Sequence, residues 1–335
     1  MKSHAFSQQP WWLRQSRRRR ILYLAALLLI ATVLAVGLGV GLTVGDNSDS
    51  SGSSSTQTGG TTNTTTPTLP KNTTRTFWQP PVNATWQIVL RQPLALPTSA
   101  SSTTPSVSIF DIDLFTNNAS TIATLHALQK RVICYFSAGS YEPDRPDSSA
   151  FLSNDMGKGL DGWPGEKWLD IGSSNTNVRD IMTKRVQLAS EKGCDAIDPD
   201  NVDGYQNDNG LGLTMQDSVD FISFLSAEAA SYNMSTGLKN AGDIIADVLN
   251  ITHFSVNEQC MHYGECDKFA QFLSAGKPVF HIEYPDGAPK VEAKVMGKDC
   301  AGVAEGFSTL LKKMDLDGWV EYCDGSTATT AVGTS

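Results

Sequence analysis

Beyond residue 76 the chain alternates between short runs dense in β-branched and aromatic residues and longer stretches whose apolar positions recur at helical spacing. The runs are WQIVLR (86–91), SVSIFDID (106–113), RVICYFSAG (131–139), WLDIG (168–172), CDAIDPD (194–200), MSTGLKN (234–240), HFSVNEQ (253–259) and PVFHIEY (278–284). Helical stretches between them include ASTIATLHALQK (119–130), NVRDIMTKRVQLASEKG (177–193) and DSVDFISFLSAEAASYN (217–233), the last two closing on Lys-Gly and Tyr-Asn, residues suited to helix ends. Eight strands alternating with helices over about 250 residues predict an α/β fold, a (β/α)8 TIM-type barrel. The first connection, 92–105, is rich in proline and serine and reads as a loop in place of a helix. A doubly wound sheet is the competing fold, but no G-x-G-x-x-G follows an early strand.

Alternation within the runs predicts which side chains face the barrel mouth. In CDAIDPD, Ala196, Asp198 and Asp200 share one face while Ile197 meets the helices. The same reasoning turns Phe280 and Ile282 of PVFHIEY outward and His281 and Glu283 inward. In HFSVNEQ, Phe254, Val256 and Glu258 share a face, and alternation leaves the direction of Glu258 open. Polar residues gather at the C-terminal ends of these runs: Asp111 and Asp113, Asp198 and Asp200, Lys239 and Asn240, Glu258, Glu283 and Tyr284. Strand C-termini are where such a barrel carries its chemistry.

The N-terminal segment has a different pattern. Residues 21–44 contain no charge over 24 positions, enough at ~1.5 Å per residue to span a ~30 Å hydrocarbon core. The basic tail 1–20, with Arg17 to Arg20, is expected to stay in the cytosol. A Ser/Thr-rich stalk (45–75) follows, too polar to fold alone. The expected topology is a single-pass type II membrane protein with an extracellular domain over 76–324, a flexible C-terminal tail at 325–335, and release by cleavage in the stalk as a variant. All six N-glycosylation sequons, at Asn63, Asn72, Asn83, Asn118, Asn233 and Asn250, lie beyond the anchor. So do all six cysteines. Cys260 with Cys266 and Cys300 with Cys323 are candidate disulfides, and Cys134 and Cys194 are a third pair or buried thiols. Their spacing does not suit zinc, so no metal or other cofactor is expected.

Charge narrows the partners. The net charge is −9, and setting aside the six positive residues of the tail leaves about −15 on the remainder. That excludes nucleic acid and favours a neutral or cationic partner. The acidic strand ends also have the ligand type of a calcium site, the competing reading of so many carboxylates. A calcium-dependent surface protein is therefore one alternative to an enzyme.

The segments ICYFSAGSYEPDRPD, GWPGEKWLDI, GCDAIDPDNVDGY, GLKN, VNEQC and FHIEY, in this order, resemble glycoside hydrolase family 114, the endo-α-1,4-polygalactosaminidases, over roughly residues 76–324. The resemblance implies a (β/α)8 barrel and endo-hydrolysis of α-1,4-linked galactosamine in exopolysaccharide by a carboxylate pair; a non-catalytic carbohydrate-binding surface protein is the alternative, and the catalytic domain is expected to be monomeric. The resemblance implies Asp200 and Glu258 as the catalytic pair, with Asp200 expected to attack and Glu258 to donate the proton. Unacetylated galactosamine carries an ammonium, so Asp111, Asp113, Asp198, Asp203 and Glu283 are expected to line an attracting mouth. Tyr135, Trp163, Tyr205 and Tyr284 are stacking candidates. Asn201, Asn240 and Lys239 complete the expected substrate-binding set, the lysine pairing with an aspartate or bonding a sugar hydroxyl.

Overall fold

The computed structural model describes residues 77–301 and 305–334. The expected cytosolic tail, anchor and stalk, with Asn63 and Asn72, lie outside the described residues. Among the described residues no helix is long and apolar enough to cross a membrane.

In chain order the strands are β1 (Trp86–Val89), β2 (Ile109–Asp113), β3 (Arg131–Ser137), β4 (Ser140–Tyr141), β5 (Met156–Gly159), β6 (Lys167–Leu169), β7 (Ala196–Asp200), β8 (Ser235–Lys239), β9 (Phe254–Glu258), β10 (Val279–Glu283), β11 (Phe307–Leu311), β12 (Trp319–Tyr322) and β13 (Thr327–Thr329). The helices are α1 (Ala119–Ala127), α2 (Thr176–Lys192), α3 (Met215–Ser231), α4 (Ile245–Val248), α5 (Cys260–Tyr263), α6 (Cys266–Ser274) and α7 (Ala293–Ala301). One ten-stranded sheet runs β1-β2-β3-β7-β8-β9-β10-β11-β12-β13. Its pairings from β1 to β11 are all parallel, and β12 and β13 are antiparallel additions.

The sheet curls until its first strand meets its eighth. Trp86 Nε1 donates to the Ser308 carbonyl (2.8 Å), Ser308 Oγ to the Ala84 carbonyl (2.7 Å), and Leu90 N to the Leu316 carbonyl (3.0 Å). The buried Lys312 ammonium spans the same seam, donating to Gln87 Oε1 and the carbonyls of Ile88 and Asp317. This arrangement is consistent with a TIM-like barrel.

Two of the sequence expectations are corrected here. The run at 168–172 is not a strand of the curled sheet: β6 pairs antiparallel with β4 and β5 in a separate three-stranded sheet. The eighth parallel strand is β11, whose FSTLL was not recognised. Three of its five residues are only half-buried, so it lacks the unbroken apolar run of the central strands. The expected tail at 325–335 also carries structure, because β13 pairs with β12 and Leu94 bridges Val332.

The helix ends follow local chemistry. Asn118 and Asn175 accept from the Thr121 and Val178 amides at the starts of α1 and α2, and Thr214 with Asp217 forms a capping box on α3. Gly193 ends α2 at φ 99°.

Two apolar layers decide which way each strand faces. Phe110, Ile112, Phe136, Ile197 and Leu238 pack outward with Ile122, Ile181 and Phe221 of the helices. Ile88, Ile109, Ile133, Phe254, Val256, Phe280 and Ile282 form the interior cluster. Phe280 and Ile282 therefore point inward, opposite to expectation, and Phe254 and Val256 carry Glu258 inward with them. The expectation erred in treating the interior face as polar throughout. It is apolar along most of its length, and acidic side chains concentrate only where the strands end. Gly237 serves this interior directly: a Cβ there would lie 2.4 Å from the Phe254 ring.

Candidate active site

Three neighbouring strands end in functional side chains: Asp200 on β7, Lys239 on β8 and Glu258 on β9. Each is followed by a non-glycine residue in the left-handed region, Asn201 (φ 61°), Asn240 (φ 49°) and Gln259 (φ 61°). Such backbone is uncommon and clusters at functional sites, with asparagine the more tolerant residue. The turns have supports. The Ala138 and Gly139 amides both donate to the Asp200 carbonyl at 2.9 Å, and a Cβ on Gly139 would lie 1.8 Å from the Asn201 carbonyl oxygen. Only glycine allows that approach. Asn201 Nδ2 donates to Ser140 Oγ (2.8 Å). Asn240 clasps Glu258 twice, accepting from its amide at 2.9 Å and donating to Oε2 at 3.0 Å. The Cys134–Cys194 disulfide ties β3 to the entry of β7. The other two expected disulfides, Cys260–Cys266 and Cys300–Cys323, are present.

Lys239 is the electrostatic centre. Its ammonium lies 3.6 Å from Glu258 Oε2, 3.8 Å from Asp198 Oδ2 and 3.9 Å from Asp200 Oδ2, and 5.1 Å from the Tyr135 ring centroid. Burial works against its charge, but Asp200, Glu258, Asp198 and Asp111 outweigh it and raise the lysine pKa. An ammonium thus occupies the place among these carboxylates that a bound cation would take, which weighs against the calcium reading. Asp200 Oδ2 accepts from Tyr135 OH (2.8 Å) and Oδ1 from the Asn201 amide (2.8 Å). Glu258 Oε1 accepts from Tyr284 OH.

Protonation in the unliganded site runs against the expected division of labour. Burial raises the Asp200 pKa despite Lys239. Burial also opposes ionisation of Glu258, but Lys239, Tyr284 and Asn240 together hold its pKa below the ordinary value. The two shifts run in opposite directions, so of the pair it is Glu258, the expected proton donor, whose ionised form the site favours. Asp203 is pushed up to about 7 by burial and by Asp200.

The other expected binding residues divide sharply. Asp198, Asn201, Asn240, Tyr135 and Tyr284 all join the cluster around Lys239. Asp113 does not line the mouth: it is fully buried, pairs with Arg145 at 2.6 Å and caps the turn at Phe115 and Thr116. Glu283 faces away from it, bound to His281 Nε2 (2.9 Å) and the Met261 amide (2.8 Å). Asp111 lies buried beneath the cluster with no exposure to substrate. Tyr205 packs on the outer core, its hydroxyl accepting from Gln206. These corrections share a cause, since each carboxylate found a nearer donor or a buried position that strand alternation cannot reveal.

A cleft of about 300 Å³ opens over the cluster, its walls including Asp203, Asn240, Glu258, Tyr284, Trp163 and Tyr263. Asp200 is not among the wall residues, and its side chain is 16% exposed against 24% for Glu258. Tyr263 was not anticipated. It sits inside the Cys260–Cys266 loop directly after Glu258, and that disulfide was the available signal.

The profile of the glycoside-hydrolase family GH114 matches residues 67–328. Aspergillus fumigatus Ega3, solved in complex with galactosamine, is 52% identical, covering 76% of this chain and 100% of its own with a TM-score of 0.69. The glycoside hydrolase domain of PelA from Pseudomonas aeruginosa shares the fold at 11% identity, covering 74% of this chain and 99% of that domain with a TM-score of 0.57. No curated protein matches the chain. With carboxylates converging at the strand ends of a curled parallel sheet, and the family profile spanning nearly the whole described region, the chain belongs to glycoside hydrolase family GH114 and is a glycoside hydrolase.

Proposed function

We propose that the protein is an endo-acting hydrolase cleaving α-1,4 linkages in a galactosamine-containing exopolysaccharide, with Asp200 and Glu258 as the reacting pair on a closed (β/α)8 barrel. The observation that carries this reading is one buried lysine, Lys239, set 3.9 Å from Asp200 and 3.6 Å from Glu258, the latter in the wall of an open cleft. One ammonium shared by two reacting carboxylates makes them titrate together, so their protons redistribute when a sugar enters. Asp203 in the cleft wall supplies a carboxyl for a cationic sugar and, at about 7, a nearby proton. The galactosamine bound to Ega3 supports the substrate class.

The test is mass spectrometry of products from a partly deacetylated galactosamine polymer. Internal cleavage to a ladder of oligomers is expected, with rates falling as the polymer is re-acetylated and as salt screens the acidic cleft. Equal rates on fully acetylated and deacetylated polymer, independent of salt, overturn the charge-based selection. Release of monomers alone overturns endo-action.

We also propose a type II anchor at 21–44 with the hydrolase domain outside the cell. Support comes from the three disulfides, which persist in oxidising compartments, and from the exposure of Asn83, Asn118 and Asn250. Asn233 is half-buried. Protease added to intact cells is expected to remove the domain, and complete protection overturns the topology.

A further inference from the structure

The proposed pair stands above a second pair of carboxyls. Asp111 on β2 and Asp198 on β7 are both wholly inaccessible to solvent. Asp111 is in register with Ile133 of β3, and Asp198 with Tyr135, so the two occupy successive levels of the interior. Among the described residues, no main-chain or side-chain group of fixed donor character aims a hydrogen bond at any of their four oxygens. Apart from the Lys239 ammonium 3.8 Å from Asp198, their contact is with each other. Two carboxyls can hydrogen-bond only if one carries a proton.

The surrounding charges decide which one does. The titratable groups that act on Asp111 are Asp198 and Asp200 of β7 and Lys239 of β8; Asp113 of its own strand is committed to Arg145. Four ionised carboxylates around one ammonium would leave three charges uncompensated, and the cost falls most heavily on the wholly buried Asp111 and Asp198. Asp200 and Glu258 have hydroxyl and amide donors, and Lys239 lies within 4 Å of Asp198, Asp200 and Glu258. Asp111 has neither.

We propose that Asp111 is a positioning residue held as a neutral carboxylic acid, whose O–H fixes the Asp198 carboxylate against Lys239 and thereby centres the lysine between Asp200 and Glu258. Burial and the neighbouring Asp198 push the Asp111 pKa well above the ordinary range, in agreement. Burial, with Asp200 and Glu258 adding to it, lifts Asp198 to about 7 in spite of Lys239. Asp111 thus acts on the reaction without touching the sugar, and its catalytic consequence rests on the functional reading above.

The proposal separates position 111 from the reacting pair by one chemical distinction. A carboxamide imitates a neutral acid that donates a hydrogen bond, but it cannot replace a carboxylate that attacks or transfers a proton. The experiment compares the full-length protein with its Asp111→Asn and Asp111→Ala variants. Turnover of the Asn variant is expected within about tenfold of wild type, the most that one imperfect neutral hydrogen bond changes. The Ala variant is expected to lose about 10²-fold in kcat with little change in KM, because the lysine loses its seat. Infrared difference spectra of substrate-free protein at pH 7 are expected to show a protonated carboxylic acid in wild type that disappears in the Asn variant. An Asn variant as inactive as Asp200→Asn, a fully active Ala variant, or no protonated-acid difference each overturns the proposal. Should the Ala variant fail to fold, the Asn variant and the infrared band still decide. If wild type leaves the galactosamine polymer intact, the functional reading fails while the infrared band continues to test the protonation of Asp111.

Discussion

Asp200→Asn and Glu258→Gln are each expected to lower hydrolysis of the galactosamine polymer by about 10²–10⁴ while leaving the domain folded. Both substitutions preserve shape and remove a carboxylate from a strand end whose backbone is already determined by other contacts. The Ala138 and Gly139 amides hold the Asp200 carbonyl, not its side chain, and Asn240 Oδ1 still holds the Glu258 amide. Asp200→Asn also relieves a crowded charge. The folded-state pKa of Asp200 is raised, so ionising it costs stability as pH rises from its unfolded value of about 3.9 through the folded one. Its thermal midpoint at pH 7 is therefore expected to equal or exceed that of wild type. Rates and melts measured on the same preparations check both statements. Near-normal turnover in either variant means that residue is not a member of the pair, and loss of activity in Asp203→Asn instead would move the role to the cleft wall. An activated aryl leaving group then separates the two tasks: the variant that regains turnover has lost the proton donor.

Replacing Lys239 by methionine is expected to have the largest effect on stability. The ammonium is 1% exposed and lies within 4 Å of three carboxylates. Removing one partner of a buried ion pair costs about 3–5 kcal/mol because the other charge stays behind. The loss is expected to depend on pH in a defined direction. Without the lysine the folded-state pKa values of Asp198 and Asp200 rise further above their unfolded value of about 4, and that of Glu258 loses the main influence holding it down and climbs from below the ordinary value. A carboxyl raised in this way stabilises the fold below the unfolded pKa and ceases to do so as pH climbs through the folded one. The gap in unfolding free energy between wild type and Lys239→Met should thus be narrow near pH 4–5 and widest at pH 7–8, as read by urea titration at both ends. A gap that does not vary with pH would mean that the lysine acts by packing alone. Hydrolysis is expected to be lost at every pH, since the reacting carboxylates lose their shared cation.

Seven of the eight parallel strands were legible along the chain because the central strands of a curled sheet are buried on both faces and read as dense β-branched and aromatic runs. The eighth, β11, escaped notice because FSTLL is only half-buried at its first three positions, and WLDIG took its place because a short antiparallel strand has the same composition. The ends of β7, β8 and β9 were legible too. A carboxylate or lysine closing an apolar run is unfavourable to bury, so Asp200, Lys239 and Glu258 stood out as residues kept for a reason other than packing.

The sequence by itself determined the strand and helix alternation, the family and the residues that converge on the cluster, because these depend on local composition, periodicity and motif order. Only the tertiary structure decided how each carboxyl is used. Asp113, Glu283 and Asp111 look alike in sequence, each an acid at or near a strand end. One became an ion pair with Arg145 from a distant loop, one a partner of His281 and the Met261 amide on the outer face, and one a buried acid against Asp198. Strand alternation gives the side on which a residue lies relative to its neighbours but not which side is the interior. That choice was made by Phe254, Val256, Phe280 and Ile282, whose combined apolar surface fills the inside of the curled sheet and carries Glu258 to its open end.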